Sequence, residues 1–195
     1  AAVIIDEHAE VGGEALALGY AQGWSAGKIH HPQIVGHGGF KGLGGTALEA
    51  AGIEVSAASI LDFPAEDLIQ ARFASDSFAA FIAEVAAASG IVVSTPVYKA
   101  SFSGGLKALL DILPQEALLG KAILPLASAG TLSHLLAIDY ALKPVLSVLG
   151  ARDIEQGVFA VDDQFEKTDG GYLLRPELVE RLERNLGYLI SRVQP

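Results

Sequence analysis

The feature that most constrains the fold is the alternation, from Leu48 onward, of short apolar runs with segments of helical spacing. The apolar runs that we interpret as strands are IEVSAAS (53–59), GIVVS (90–94), KAILPLA (121–127) and GVFAV (157–161). The predicted helices between them are SDSFAAFIAEVAAAS (75–89), LKALLDIL (106–113) and SHLLAIDYALKPVLSVLG (133–150). Strands that alternate with helices predict βαβ units, and therefore a parallel sheet with helices on both faces.

The rest of the chain completes this pattern. FPAEDL (63–68) predicts a turn followed by a short helical start, and QFEKTDGGYLLR predicts a hairpin around Asp169-Gly170-Gly171. An amphipathic helix that starts at Pro176 ends the sequence. We find no internal repeat and no linker between domains. We therefore predict one α/β domain over residues 1–195, a flavodoxin-like three-layer sandwich with a mostly parallel sheet of about five strands.

Residues 1–47 form an atypical, glycine-rich segment. They hold eleven of the 22 glycines, and their clearest apolar run is AVII at the start. GLGGTA (42–47) fits the nucleotide-loop pattern G-x-G-x-x-A only loosely and has no strand directly before it, so we discount a nucleotide loop. His30, His31 and His37 lack carboxylates or thiols at a ligand spacing, so we expect no metal site.

The overall charge limits the kinds of partner. A formal net charge of −10 argues against nucleic-acid binding through a basic face. An anionic ligand must then be held by local groups, such as clustered backbone N–H groups or single lysines. The chain contains no cysteine, which excludes disulfides and thiolate nucleophiles. Since neither a membrane span nor a signal sequence is visible, we expect a cytoplasmic protein.

The first candidate site is the stretch TPVYKASFSGGLK (95–107), which follows the run GIVVS. Ligands of open α/β sheets bind in the crevice beyond the carboxyl ends of the strands. Pro96 keeps Thr95 extended, so the amides of Val97, Tyr98 and Lys99 could hydrogen-bond the edge of a flat heterocycle. The other groups open to a ligand are the Tyr98 ring, the hydroxyls of Ser101 and Ser103, and the backbone at Gly104 and Gly105. An ordinary strand-to-helix turn is an equally good interpretation.

The second candidate site is ASAGTLSH (127–134), which follows the next predicted strand. Its small residues, Ser128 among them, leave room for a planar ligand, while Gly130 and Thr131 offer amides or a hydroxyl. His134 titrates near neutral pH and could contact a phosphate, although a packing role at a helix start is more usual. The two stretches support each other, because a cofactor at a sheet edge needs a loop from each strand.

Two acidic pairs and one Asp-Tyr pair call for an interpretation. Asp162-Asp163 and Glu66-Asp67 are expected to form solvated faces of a loop and a turn. Asp139-Tyr140 instead lies inside an apolar helical pattern that Pro144 disturbs. A proline within a helix frees a carbonyl, so we expect a bulge or kink near this pair.

From about Leu48 to its end, the chain resembles the NADPH-dependent FMN reductases of the flavodoxin-like superfamily. It is similar in particular to the reductase component of bacterial two-component alkanesulfonate monooxygenases. The segments that carry the resemblance are, in order, FPAEDLIQARF, TPVYKASFSGGLKALLDILP, LLGKAILPLASAGTLSHLLAIDYALKPVLSVLGA and GVFAVDDQ.

This resemblance implies that the TPVYK turn and the Ala-Gly-Thr loop hold the isoalloxazine ring of FMN. NADPH would pass a hydride to flavin N5 without an acid or base from the protein, so no residue is implied to be catalytic. Reduced FMN would then leave for a partner monooxygenase that cleaves a carbon–sulfur bond. The residues implied to bind the cofactor are Thr95, Pro96, Val97, Tyr98, Lys99, Ser103, Gly104, Ser128, Gly130, Thr131 and His134.

The resemblance also bears on assembly. Tyr140 occupies the place of a tyrosine that is inserted in a π-bulge at a tetramer interface in this subfamily. We therefore expect a homo-oligomer, either a dimer or a tetramer.

The front of the chain departs from the family pattern. The family opens with a strand, a Gly-Ser-Pro loop and a Ser-Arg helix start that binds the FMN phosphate, and residues 1–47 do not match them. Lys28, Lys41 and the amides around Gly38, Gly39 and Gly44 are the visible substitutes. Two alternatives therefore stay open: a reductase of the same fold that retains its flavin and reduces quinones or azo dyes, and an inactive flavodoxin-like assembly domain.

Overall fold

The computed structural model describes residues 1–6, 45, 47–168 and 171–194, together with the backbone of 10–11, 14–15 and 34–35. The strands are β1 (Ala2–Asp6), β2 (Glu10–Val11), β3 (Glu14–Ala15), β4 (Ile34–Val35), β5 (Val55–Ser59), β6 (Gly90–Tyr98), β7 (Ser101–Phe102), β8 (Ala122–Ala129), β9 (Asp153–Ile154), β10 (Val158–Val161), β11 (Phe165–Thr168) and β12 (Gly171–Leu174). The α-helices are α1 (Ala65–Ile69), α2 (Ala79–Ala87), α3 (Gly104–Ile112), α4 (Lys143–Val148) and α5 (Pro176–Val193), and residues 47–50 are also helical. The 3-10 turns are Ile60–Asp62, Asp76–Phe78, Leu132–His134 and Asp162–Gln164, and a π-helix spans Ile138–Leu142.

Five parallel strands form the central sheet, in the order β5-β1-β6-β8-β10. Numbered by their position along the chain, these strands lie in the order 2-1-3-4-5, which is the flavodoxin-like arrangement. The short strand β9 adds to β8 in parallel, and β7 pairs with β6 in antiparallel orientation. The predicted flavodoxin-like α/β fold, with a mostly parallel sheet of about five strands, is confirmed.

The run AVIID near the start of the chain forms β1, at the centre of this sheet. Val3, for example, lies opposite Ser56 of β5 on one side and Ile91 of β6 on the other. All five residues of β1 are buried, which explains why the run is almost entirely apolar. The expectation that residues 1–47 do not match the opening strand of the family was therefore wrong for residues 2–6. The lysines, glycines and histidines singled out in residues 28–44 lie outside the described residues.

Two helical layers cover the two faces of the sheet. Successive side chains of a strand point to opposite faces, so Val3 and Ile5 pack into one apolar cluster with α2, α3 and α4. Ala2 and Ile4 pack into the other cluster, with Leu48 and α5. The predicted three layers therefore follow from the alternation within each strand.

Hydrogen bonds fix the ends of several helices. Ser103 is the N-cap of α3, and its hydroxyl accepts the N–H of Leu106 at 3.0 Å. Ser75 is the N-cap of the 3-10 turn that leads into α2, and its hydroxyl accepts the N–H of Ser77 at 3.3 Å. Pro176 lies in the first turn of α5, as predicted. None of the helices in the described part of the chain is long and apolar enough to cross a membrane.

The buried Lys121 ties α2 to the sheet. Its Nζ donates to the carbonyls of Ala86 at 3.0 Å and Ala88 at 2.7 Å, where α2 ends. A cation at a helix C-terminus interacts favourably with the unpaired carbonyls there. Burial lowers the pKa of Lys121.

The helix predicted over residues 133–150 is confirmed only in part: a 3-10 turn occupies Leu132–His134, and the π-helix then continues directly into α4, which ends at Val148. Within the π-helix, the N–H of Lys143 donates to the carbonyl of Ile138, five residues back. Pro144 follows at the start of α4. Because proline cannot donate to a preceding carbonyl, the regular α pattern does not continue through this point. The bulge expected near Asp139-Tyr140 is confirmed, and Asp139 forms an ion pair with Lys143 at 2.7 Å.

The predicted hairpin is formed by β11 and β12, with Glu166 opposite Leu173. Strand β12 also pairs with β4 through Leu173 and Ile34. Asp169 and Gly170, at the predicted turn, lie outside the described residues.

Candidate functional site

The strand order places a crevice at one edge of the sheet. In the order 2-1-3-4-5, the direction of strand addition reverses between β1 and β6, and ligands of such sheets bind beyond the carboxyl ends at this switch point. The first candidate stretch follows β6 and the second follows β8. These strands are neighbours, with Thr95 opposite Ala127 and Pro96 opposite Ser128. The two stretches predicted to act together therefore lie side by side.

The segment predicted to leave the sheet as a loop is instead its continuation. Strand β6 extends through Pro96 to Tyr98 rather than ending at Ser94. In the described residues, β1 pairs with β6 only as far as Ser94, and β7 pairs with β6 from Val97 on, so Pro96 lies between these two pairings. A sheet edge tolerates a proline, which has no N–H to donate.

A strained two-residue turn, Lys99–Ala100, forms the tip of the hairpin that joins β6 to β7. Lys99 has a φ of 51° and Ala100 a φ of 68°. Such turns require positive φ at both positions and usually contain Asn-Gly, whereas neither residue here is glycine. Each such residue costs about 1–2 kcal/mol. Strain of this kind persists where the surroundings enforce it, and it is concentrated at ligand sites.

The hairpin tip determines what the protein presents to the crevice. It fixes the direction of the backbone at Val97, Tyr98 and Lys99, whose amides were predicted to contact a ligand. Val97 is buried, whereas Tyr98 is 51% exposed. A half-exposed aromatic ring beside a fixed backbone suits a flat ligand, which can stack on the ring and hydrogen-bond at its edge.

Thr95 and Ser103 support the site from within. Both are only 2% exposed. The Thr95 hydroxyl accepts the N–H of Ser103 at 3.2 Å and donates to the carbonyl of Pro96 at 2.9 Å. These bonds connect the end of β6 to the start of α3. The predicted cofactor contacts of these two residues stay predictions, because the observed partners of both hydroxyls are internal.

Gly104, the first residue of α3, borders open space. A Cβ added to Gly104 would meet no atom within 4 Å. The protein itself therefore has no steric need for glycine at this position, whereas a ligand packed against the start of α3 would have one.

The second stretch forms a short loop, Ala129–Thr131, which we call the AGT loop. Ser128 is buried in β8, while Gly130 and Thr131 are exposed. The Thr131 hydroxyl accepts the N–H of Ser133 at 3.3 Å and so caps the turn that contains the partly buried His134. The loop thus leaves exposed backbone at Gly130 and Thr131, the two residues predicted to offer it.

A small apolar cluster connects the two loops. Its members come from the ends of β6, β8 and β10 and from the segment that enters the π-helix. They are Val97, Ala127, Ala129, Ala137, Ile138, Phe159 and Val161. We call this group the floor cluster, because it gives the hairpin and the AGT loop a common support.

The sequence pattern did not place Asp162 beside the second candidate loop. It directly follows β10 and is only partly exposed, and its Oδ2 lies 3.6 Å from the position that a Cβ on Gly130 would take. Burial, with a further contribution from Asp163, raises the pKa of Asp162. The expectation of a solvated loop face was therefore wrong for Asp162. The available signal was its place directly after an apolar run, which puts it at the same sheet edge as the two loops.

The same expectation was wrong for Asp67. Its carboxylate accepts the hydroxyls of Ser75 at 2.6 Å and Ser77 at 3.2 Å, and the guanidinium of Arg72 at 3.1 Å. These contacts, the Ser75 hydrogen bond foremost, lower the pKa of Asp67. Glu66 is exposed and pairs with Arg72 at 2.7 Å.

Across the described ranges, no group of three or more histidines and acidic residues could hold a metal ion.

An apolar surface lies next to the AGT loop. Leu132, Leu135, Leu136 and Tyr140 are each about half exposed or more, with Tyr140 at 79%. Isolated exposed apolar side chains are common, but a group of four along one helical segment is typical of an interaction surface.

Comparison with known proteins bears directly on this site. A family model described as NADPH-dependent FMN reductase matches residues 43–166, which include both candidate loops and Asp162. An FMN reductase (NADPH) of Pseudomonas putida is 52% identical over 140 residues, or 71% of this chain and 70% of that protein. The apo crystal structure of the NADH:FMN oxidoreductase EMOB aligns with a TM-score of 0.75 at 25% identity, covering 99% of this chain and 90% of that one. A flavodoxin of Streptococcus pneumonia TIGR4 has a TM-score of 0.56 at 16% identity, covering 98% of this chain and 99% of that one, and so shares the fold alone.

Proposed function

We propose that this chain, which belongs to the NADPH-dependent FMN reductase family, uses NADPH to reduce FMN held at the carboxyl edge of the sheet. The observation that carries the proposal is that two loops lie side by side at the carboxyl edge of the sheet: the strained hairpin tip after β6 and the AGT loop after β8. NADPH supplies a hydride to the flavin, and a proton from water completes the reduced product.

The protein's part in this reaction is to bind and orient. The amides of Val97, Tyr98 and Lys99, together with those of Gly130 and Thr131, would hold the ring by hydrogen bonds. The hairpin strain is favourable here, because a backbone already held in its binding geometry loses little entropy when the ligand arrives. No side chain needs to accept or donate a proton. The predicted phosphate contacts of Lys28 and Lys41 lie outside the described residues, so the proposal rests on the ring site.

We also propose that reduced FMN leaves this protein for a partner monooxygenase, one that acts on an alkanesulfonate. The support is the resemblance carried by TPVYKASFSGGLKALLDILP and by the segment from Leu118 to Ala151. A protein that supplies reduced flavin must release it, whereas a quinone or azo reductase of the same fold retains its flavin through both half-reactions.

A second copy of the chain is the proposed partner of the apolar surface formed by Leu132, Leu135, Leu136 and Tyr140. Tyr140 lies within the π-helix and is 79% exposed, so the insertion presents its ring outward. Covering this surface in a dimer or tetramer removes that ring from water.

The experiment that tests the proposal is a titration of the purified chain with FMN, followed by flavin fluorescence, with NADPH oxidation recorded on the same samples. We expect saturable quenching and NADPH consumption that depends on added flavin. A folded protein that shows no quenching at FMN concentrations well above micromolar would refute the reductase and favour the inactive assembly domain. Dialysis after reduction separates the two remaining enzymes, since a supplier of reduced flavin loses its flavin and a quinone or azo reductase keeps it.

A further inference from the structure

We propose that Asp162 is a specificity-determining residue of the flavin site, whose carboxylate weakens the binding of reduced FMN relative to oxidised FMN and so favours release of the product. This inference rests on the proposed function. It assigns a role in the site to a residue that the sequence pattern placed on a solvated loop.

The position of Asp162 is set by the sheet. Strands β8 and β10 are parallel neighbours, with Val161 opposite Ala129. The residues that follow these two, Asp162 and Gly130, therefore come side by side, and Oδ2 of Asp162 lies 3.6 Å from the Cβ position of Gly130. The carboxylate thus stands directly against the AGT loop, whose amides we propose as donors to the flavin ring.

The turn that carries Asp162 is braced from two sides. Oε1 of Gln164 accepts the backbone N–H of Val161 at 3.1 Å and the guanidinium of Arg181 at 3.0 Å. The carbonyl of Gln164 accepts the N–H of Arg175 at 3.0 Å. Gln164 and Arg181 are positioning residues in this arrangement, because they hold the turn in place and leave Asp162 at the sheet edge.

The carboxylate brings to this edge a negative charge that no side chain of the described residues compensates. No cation or donor side chain in the described part of the chain pairs with Asp162. Burial and the neighbouring Asp163 raise its pKa, as expected for a carboxylate that has lost solvation without gaining a positive partner.

The two redox states of flavin respond differently to such a charge. The oxidised ring is neutral, whereas the reduced ring in its anionic form carries its negative charge at the pyrimidine end. That end also holds the ring carbonyls, which are the acceptors that the amides of Gly130 and Thr131 can bind. A carboxylate beside these amides therefore repels the reduced form and affects the oxidised form little.

The test compares Asp162→Asn with Asp163→Asn, a neighbouring exposed carboxylate that serves as the matched control. The dissociation constants of oxidised and reduced FMN are measured by anaerobic fluorescence titration, together with the midpoint potential of the bound flavin. We expect Asp162→Asn to bind reduced FMN about tenfold more tightly, a typical effect of one nearby charge at a partly buried site. Tenfold corresponds to a potential about 30 mV more positive for a two-electron couple. Asp163→Asn is expected to change either value by less than about twofold, because exposed charges are screened.

A potential that stays unchanged in Asp162→Asn, or one that shifts equally in Asp163→Asn, would overturn the inference. The reductase proposal would survive both results, because it fails only if the unmodified protein binds no FMN. If Asp162→Asn does not fold, the potential of the unmodified protein is measured against salt concentration. Salt should raise that potential, because it screens the repulsion between the Asp162 carboxylate and reduced FMN. Contacts that are the same in both flavin states do not contribute, since the potential depends only on the ratio of the dissociation constants of oxidised and reduced FMN. A potential that is independent of salt would then count against the role of Asp162.

Discussion

A substitution at Gly104 should affect FMN binding without lowering the stability of the fold, because open space lies beside this residue. We predict that Gly104→Ala leaves the protein as stable as before, or more stable, while it weakens FMN binding. An added Cβ meets no protein atom within 4 Å, and alanine is a better helix former than glycine by up to about 1 kcal/mol. If FMN packs against the start of α3, the same methyl group overlaps the ligand. Overlaps of this kind cost about 1–3 kcal/mol, which corresponds to roughly 5- to 150-fold weaker binding.

Gly187→Ala is the matched control for this prediction. Gly187 is exposed within α5, and its added Cβ also meets no atom within 4 Å. This variant should raise the free energy of unfolding by about 0.5–1 kcal/mol, measured by urea denaturation, and leave the FMN titration unchanged. If Gly104→Ala is folded and binds FMN as tightly as the unmodified chain, FMN does not approach α3 there. If it is instead destabilised by more than about 1 kcal/mol, our account of the space around Gly104 is wrong.

Three further predictions concern the support of the site, the surface and the effect of pH. Thr95→Val keeps the side-chain shape but removes both hydrogen bonds of the buried hydroxyl. It should therefore lower the free energy of unfolding, measured in urea, by about 2–3 kcal/mol and weaken FMN binding. The control Ser101→Ala should lower the free energy of unfolding by less than about 0.5 kcal/mol. Tyr140→Ala should shift the chain toward smaller species in sedimentation analysis, whereas an unchanged oligomer would remove Tyr140 from the interface. Because the pKa of Asp67 is lowered from 3.8, its contribution to stability is complete above that pH and is lost as the pH falls through its folded-state pKa. The destabilisation by Asp67→Asn, measured in urea, should therefore be larger at pH 7 than at pH 3, and an equal effect at both would contradict the assignment.

Local patterns predicted most of the regular structure because those elements are encoded locally. The strand at 55–59 and the helices over 79–87 and 176–193 follow from apolar periodicity and from proline or serine at helix starts. The π-helix was anticipated as a bulge because Pro144 interrupts the backbone hydrogen bonds nearby.

The features that were missed depend on distant partners. AVIID is too short to identify as a central strand until β5 and β6 are known to lie on either side of it. The hairpin tip escaped notice because Lys99-Ala100 contains neither asparagine nor glycine. Asp67 was expected to be solvated because no local pattern shows that Ser75 and Arg72 will contact it. The same holds for Asp162, which lies beside Gly130. Burial of a charged side chain is decided by tertiary packing, which a single sequence does not display.

The central position of β1 has a consequence for how the protein assembles during synthesis. Ribosomes make β1 before β5 and β6, yet both edges of β1 are paired only with those later strands. The four apolar residues of β1 therefore remain unpaired until residue 94 has been synthesised. During that time they can aggregate or bind chaperones. Deletion of residues 2–6 would split the sheet at its middle rather than trim its edge, so it should lower the free energy of unfolding more than deletion of the edge strand β10 would.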